Sequence, residues 1–312
     1  MLIITGSLAY DYIMDFPGSF SDHILPEHTH NINLSFIVNK FAKRRGGTAG
    51  NVSYTLGLLK TPHILFSWAG NDFESYKEDF AKLGINVKNV EIDKKDHTAT
   101  GFVMSDKNQN QIWGYYYGAM KHNKDLHLKT VANKKDLVLI GPQGAEASLS
   151  LINQCISHEI PYMFDPGFIL TQVTNEDLQI GLKHAKYIIG NEYEMQLMRD
   201  RLRTFAKLIE KKIVITTLGK KGATIDAEVE MKRYKIKSAK AAEIVSSTGA
   251  GDAWRGGFLA GLERGFDFQT SGQMGAVASS FAVEHIGTQE HAFTLKKFAK
   301  RYKETYNAEI EI

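Results

Sequence analysis

The sequence predicts an α/β protein of three layers, with a mostly parallel central sheet between helices and a small β-sheet lid. Three observations carry that expectation. Short apolar runs with hydrophobes at consecutive positions recur along the chain, and such runs suit strands buried on both faces. Stretches with apolar residues at helical spacing lie between them, and strand alternating with helix argues for βαβ units. Two segments depart from this rhythm and read as antiparallel strands with one face less well covered.

Taken in order, the buried runs are Leu2–Thr5, His63–Ala69, Leu137–Gly141, Pro161–Phe164, Tyr187–Gly190 and Ile213–Thr217. Val52, Leu56 and Leu59 form one helical stripe, and Met274, Val277, Ala278, Phe281 and Ala282 another. A final amphipathic helix is expected to turn Leu295, Phe298 and Tyr302 inward and the Lys and Arg residues of the run Lys296–Arg301 toward solvent. The departures are Asn31–Asn39, with Ile32, Leu34, Phe36 and Val38 on one face, and Thr98–Tyr117, two strands around the polar turn Asp106–Asn110. The main α/β domain is therefore expected over residues 1–9, 46–96 and 121–312, with a lid of 10–45 and 97–120 inserted in it. Trp113, Tyr115, Tyr116 and Tyr117 are more aromatic surface than a hairpin leaves bare, so a ligand or a second subunit is expected to cover them.

Composition narrows the function. The chain has 312 residues, 38 Lys+Arg against 35 Asp+Glu, and 43% hydrophobic residues, which excludes a disordered or low-complexity protein. A net charge of +3 scattered over short lysine pairs is not the basic face that nucleic acid needs. The single Cys155 rules out an intramolecular disulfide and fits a reducing compartment. No run approaches the roughly 20 apolar residues of a membrane span. The N-terminus lacks a basic n-region, so a cytoplasmic protein is expected. His28 and His30 have no third partner nearby and read as a solvated loop.

Chemistry concentrates in three places. In Ser246-Ser-Thr-Gly-Ala-Gly-Asp252 a glycine turn feeds a helix, whose unpaired N–H groups and positive dipole end suit an anion. Position 254 is Trp, so the dinucleotide fingerprint fails, and there is no Walker A loop. In Gly46-Gly-Thr-Ala-Gly-Asn51 paired glycines again enter a helix, with Asn51 able to donate and accept. Asp165, Asn191, Glu194 and Thr217-Leu-Gly-Lys-Lys-Gly222 each follow a strand, where ligands of open α/β sheets bind. Asn191 and Glu194, three apart, suit a hydrated Mg²⁺.

Together these motifs resemble the PfkB family of sugar and nucleoside kinases, which share the ribokinase-like fold. Gly46–Leu59 looks like the family's N-terminal signature, Thr248–Gly257 its C-terminal one, and Asn191-Glu-Tyr-Glu194 its Asn-x-x-Glu. Within the family the likeness is to bacterial adenosine kinases, carried by Thr5–Asp11, Leu25–His28, Leu34–Phe36, Arg45–Asn51, Tyr116–Met120 and Gly287-Thr-Gln-Glu290. The resemblance implies that Asp11, Gly46, Gly47 and Asn51 hold the ribose. It implies that Phe102 and Tyr115 sandwich the base, Tyr115 reaching across a homodimer formed through the lid. It also implies that Asn191, Thr217, Gly219, Lys220, Gly222, Gly251 and Gly287 bind ATP, with Mg²⁺ linked through water to Asn191 and Glu194. Asp252 would take the 5′-hydroxyl proton of a nucleoside, and the backbone of Gly249, Ala250 and Gly251 would hold the transferred phosphoryl group.

Several residues depart from the pattern. Ser246 replaces the usual acid, which weakens the case for a K⁺ site. Trp254 stands where Phe is usual, and Tyr117 where Pro is. Gly167-Phe-Ile-Leu170 is more apolar than expected beside a purine. The alternatives are a kinase for another nucleoside such as inosine or guanosine, a ribose- or fructose-type sugar kinase, and a non-catalytic nucleotide binder.

Overall fold

A computed structural model describes residues 1–23, 33–108 and 110–312. His28, His30, the Leu25–His28 stretch and the start of the strand expected over 31–39 lie outside the described residues.

Chain order sets the architecture. β1 (Leu2–Thr5) leads into β2 (Ala9–Asp15), β3 (Lys40–Gly46) and helix α1 (Thr48–Leu58). β4 (His63–Leu65), β5 (Ser67–Gly70), α2 (Glu74–Lys82), β6 (Val90–Asp93), β7 (Ala99–Ser105) and β8 (Gln111–Tyr116) follow. Then come β9 (Leu137–Ile140), α3 (Ala145–Ser157), β10 (Tyr162–Phe164), α4 (Asn175–His184), β11 (Tyr187–Asn191), α5 (Glu192–Arg201), α6 (Phe205–Leu208) and β12 (Ile213–Thr217). The chain ends with β13 (Ala223–Ala227), β14 (Lys232–Ile236), α7 (Ala250–Glu263), α8 (Phe268–Ala282) and α9 (Leu295–Tyr306).

The main sheet runs β14-β13-β12-β11-β10-β9-β1-β4. Its strands from β12 to β4 are parallel, and β13 and β14 extend it antiparallel. Two apolar cores cover its faces. One gathers Leu56, Phe258, Val277 and Phe298 from α1, α7, α8 and α9, and the other Leu151, Leu182 and Met198 from α3, α4 and α5. Parallel strands such as β1 and β10 are buried on both sides and carry no polar alternation, whereas the antiparallel β13 and β14 alternate between buried and more exposed residues. The lid is a four-stranded sheet, β3-β2-β7-β8.

Two strand expectations are corrected. The run His63–Ala69 is two strands: β4 joins the main sheet, while β5 pairs with β6 in a separate ribbon. The accessory sheet takes Lys40–Gly46, antiparallel to β2, where a strand over Asn31–Asn39 was expected, and residues 33–38 are irregular. Phe36 leaves the ladder to pack its ring on Phe16 and Phe20. The strand that replaces it is an edge rich in Lys and Arg, a composition that hides a strand in sequence and discourages edge-to-edge pairing. Among the described residues no helix is long and apolar enough to cross a membrane.

Candidate active site

The carboxyl ends of the parallel strands converge, as the topology requires. In-register pairing sets Asn191 beside Thr217 at the ends of β11 and β12. Asp165 follows β10 directly, and its backbone N–H still bonds to Ile140 of β9.

Helix α7 is held over this edge. Its small residues allow close approach: a side chain on Gly256 would strike Thr55 of α1, and one on Gly257 would strike the Met274 backbone of α8. Gly249 enters the helix at φ 81°, a left-handed conformation that favours glycine. Among the described residues the N–H groups of Gly249, Gly251 and Asp252 have no acceptor, whereas Ala250 donates to the Ser247 carbonyl at 3.3 Å. The turn thus offers free donors at the positive end of a 14-residue helix. The N-terminus of α1 is different. Ser7 caps it, accepting from Thr48 through its hydroxyl at 2.9 Å and from Ala49 through its carbonyl at 3.0 Å. Only the C-terminal glycine motif is an open anion cradle.

Asp252 stands in the first turn of α7, and Asn51 of α1 donates Nδ2–H to its Oδ2 at 2.7 Å. Burial pushes the Asp252 carboxyl up to about 6, against the charge of Arg255 and the Asn51 hydrogen bond, which pull it down. Asp11 on β2 is raised to about 6 as well, by burial first and then by the charge of Asp252. A side chain on Gly46 would run into the Asp11 carboxylate, so that glycine leaves Asp11 its room. Two partly buried carboxylates, one from the lid and one from the glycine turn, therefore lie close enough for the charge of Asp252 to act on Asp11.

Arg255, one turn along α7, makes a bidentate pair with Asp165, at 2.5 and 2.7 Å. Both are buried, and although burial works against the guanidinium, Asp165 holds its affinity for the proton above the usual value. Sequence reading named Asp165 but missed Arg255. The available signal was the one basic residue on a helix built mostly of small and apolar residues.

Asn191 and Glu194 form the capping box of α5. Asn191 accepts from the Glu194 N–H at 2.8 Å, and Glu194 Oε2 accepts from the Asn191 N–H at 2.7 Å. Burial, then the charge of Asp165, raises the Glu194 carboxyl. Among the described residues the box leaves Oε1 of Glu194 without a hydrogen bond. Among the described residues no cluster of three or more metal-binding side chains exists. That donor set fits a hydrated Mg²⁺ carried in on phosphates rather than one caged by protein. When bound there, the ion would neutralise phosphate charge.

At the end of β12, Gly219 (φ 57°) and Gly222 (φ 94°) turn the chain, the Leu218 N–H bonding to the Gly222 carbonyl at 2.8 Å. Lys220 is exposed beside them. Gly287 (φ 104°) lies against Arg44 and Glu290, and the neighbouring Thr288 packs on Gly249. The 287 loop therefore closes over the α7 turn.

The lid separates two residues expected together. Asp11, Gly101 and Tyr115 are register partners across β2, β7 and β8, so they share a face. Tyr115 stacks on Trp113 at 5.3 Å there. Phe102 is on the opposite face, stacked on Tyr12 at 5.2 Å. Within one chain Phe102 and Tyr115 cannot sandwich one base, because adjacent positions of a strand point to opposite faces. Of the departures noted above, Tyr117 meets Gln172, just beyond the apolar 167–170 turn, by hydrogen bond.

The profile of the pfkB family carbohydrate kinases matches residues 10–294. The chain belongs to the PfkB family. It is accordingly a phosphotransferase with an alcohol acceptor, and its fold is ribokinase-like. This PfkB chain is 29% identical over 302 residues to a nucleoside kinase of Methanocaldococcus jannaschii, covering 95% of this chain and 94% of that one. It also superposes on the Burkholderia thailandensis nucleoside kinase in complex with inosine, with a TM-score of 0.88, 30% identity and 99% of each chain covered. The ADP-inosine complex of that enzyme matches with a TM-score of 0.86 at 31% identity, covering 100% of this chain and 98% of that one.

Proposed function

We propose that this PfkB-family protein transfers the γ-phosphoryl group of ATP to the 5′-hydroxyl of a nucleoside, with adenosine as substrate, giving AMP and ADP in purine salvage. The observation that carries the reading is the Asn51–Asp252 pair beside the free N–H groups of Gly249 and Gly251. A carboxylate raised to about 6 is ionised at neutral pH yet basic enough to receive a hydroxyl proton. Asp252 takes that proton as the oxygen attacks, and the helix turn stabilises charge on the group in transit. Asp11, Gly46, Gly47 and Asn51 position the ribose. Asn191, Thr217, Gly219, Lys220, Gly222, Gly251 and Gly287 receive the nucleotide, and Asn191 and Glu194 would hold Mg²⁺ through water. K⁺ is not assigned a role, since Ser246 turns its hydroxyl to the Thr248 N–H.

The base is the open choice within this reading, because a relative was solved with inosine. Tyr115 and Trp113 supply a flat apolar surface on the Asp11 face, which a purine uses and a bare sugar does not. Phe102, on the outer face, meets a base only if a second copy supplies it. The far face also exposes Phe41, Ile112 and Tyr116, which suits a homodimer through the lid. Initial rates with adenosine, inosine, guanosine, ribose and fructose, ATP and Mg²⁺ being fixed, test the proposal. Adenosine is expected to be turned over with the highest kcat/KM. Preference for inosine or guanosine moves the base assignment, and turnover of the sugars alone overturns the nucleoside reading. A light-scattering mass near 34.9 kDa would remove the dimer.

A further inference from the structure

Gln289 is almost wholly buried in the loop that closes over the α7 turn, and both its donors point inward. Its side-chain amide donates to Asn51 Oδ1 at 2.9 Å and to the Tyr76 hydroxyl at 2.5 Å. Tyr76 in turn donates its proton to the Gly46 carbonyl at 2.9 Å. These bonds leave no choice of orientation. With its one proton spent on Gly46, the Tyr76 oxygen faces Gln289 as an acceptor, so the NH₂ end of Gln289 faces inward. Asn51 then receives at Oδ1, and its own NH₂ is turned to Asp252 at 2.7 Å. Among the described residues Oε1 of Gln289 has no partner, and a buried unpaired acceptor is costly. The arrangement sacrifices that acceptor to keep the donors where they are.

We propose that Gln289 is a positioning residue for phosphoryl transfer: by locking the Asn51 amide it keeps an N–H on one oxygen of Asp252 and leaves the other oxygen for the substrate hydroxyl. The inference rests on reading Asp252 as the base. Freed from Gln289, the Asn51 amide can rotate and set its oxygen against the carboxylate. Two acceptors face to face favour protonated Asp252, which is no longer a base. The other groups facing that carboxylate are Asp11 from β2, Asp165 after β10, Glu194 from α5 and Arg255 from α7. None of them touches Gln289 by hydrogen bond among the described residues.

The test compares the pH profile of kcat in the wild-type protein, Gln289→Glu, Gln289→Met and Asp252→Asn. Gln289→Glu is isosteric and, at best, keeps one donor when protonated and none when ionised, so it cannot serve both Asn51 and Tyr76 as the amide does. Gln289→Met removes the polar group without adding charge. Both are expected to lower kcat at neutral pH by about 10²-fold, with KM for ATP within about threefold. Both are expected to move the acid limb upward by about one pH unit. If Gln289→Glu fails to fold, Gln289→Met decides the matter, its melting temperature showing that the core is intact. Folded Gln289 variants with wild-type kcat and acid limb, beside an inactive Asp252→Asn, overturn the positioning role alone. Near-normal turnover by Asp252→Asn overturns the base assignment and this proposal with it.

Discussion

The carboxyl edge of the main sheet and the inserted lid contribute to one pocket by opposite means. At the edge, charged groups are tied down: Asp165 by Arg255, Glu194 by Asn191, Asp252 by Asn51. On the lid, every residue of β8 is exposed, and Tyr115 and Trp113 stack on each other rather than on a core. The edge is preorganised, with dipoles and charges fixed before any ligand arrives, as electrostatic stabilisation of a transition state requires. The lid keeps apolar surface in reserve, for something that comes and goes. Chemistry and specificity are thereby placed on separate pieces of structure, so substitutions in the two should part kcat from KM.

The largest effect is expected at the edge. Asp252→Asn should lower turnover by about 10²–10⁴-fold in steady-state assays while leaving nucleoside binding in place. The same variant should be more stable at neutral pH, by about 1–2 kcal/mol in urea unfolding, because it removes a carboxylate that burial disfavours. A loss of binding instead would place the residue in recognition and blur the division.

Arg255→Met should come next, destabilising the protein by about 3–5 kcal/mol, since it leaves Asp165 charged and buried without a partner. Adding Asp165→Asn should recover part of that loss. A neutral single variant would show that water reaches the pair.

The pH dependence sharpens the comparison further. Activity should fall as pH drops through about 6, where Asp252 takes up a proton. Stability should run the other way. A carboxyl raised in the folded state contributes stability that is present below its unfolded value, 3.8, and lost as pH rises through about 6. Opposite slopes of kcat and of unfolding free energy between about pH 4 and 6 are the expected signature.

The smallest effect belongs to the lid. Tyr115→Ala should raise KM for the nucleoside about tenfold, with melting temperature unchanged because the ring is 71% exposed. An equal fall in kcat would show that the lid also shapes the reacting geometry.

Much of the edge was legible in the residues. Consecutive hydrophobes mark a strand buried on both faces whatever its neighbours are, so β1 and β12 were found to the residue and β9, β10 and β11 within one. Glycines before Asn51 and Asp252 mark helix entries because the requirement is local. The lid was harder. Lys40–Gly46 carries too many charges to look like a strand, and only its pairing with β2 makes it one. Gln289 was visible only inside the Gly287-Thr-Gln-Glu290 stretch and its role, like that of Tyr76, gave no sign, because none of the side-chain hydrogen bonds that join them to Gly46, Asn51 and each other spans fewer than 30 positions.

What the amino-acid order settled alone was the layered α/β fold and the types of group available for chemistry, since both follow from short-range periodicity and backbone freedom. Which of those groups meet was decided in three dimensions. Asn51 and Asp252 are 201 positions apart, and their bond exists only because α1 and α7 pack through glycine-sized gaps. Phe102 and Tyr115, 13 positions apart and both aromatic, end on opposite faces because pleating and register assign each residue of a strand its side. Local propensity has no term for register or for close packing between distant helices; those are properties of the assembled sheet.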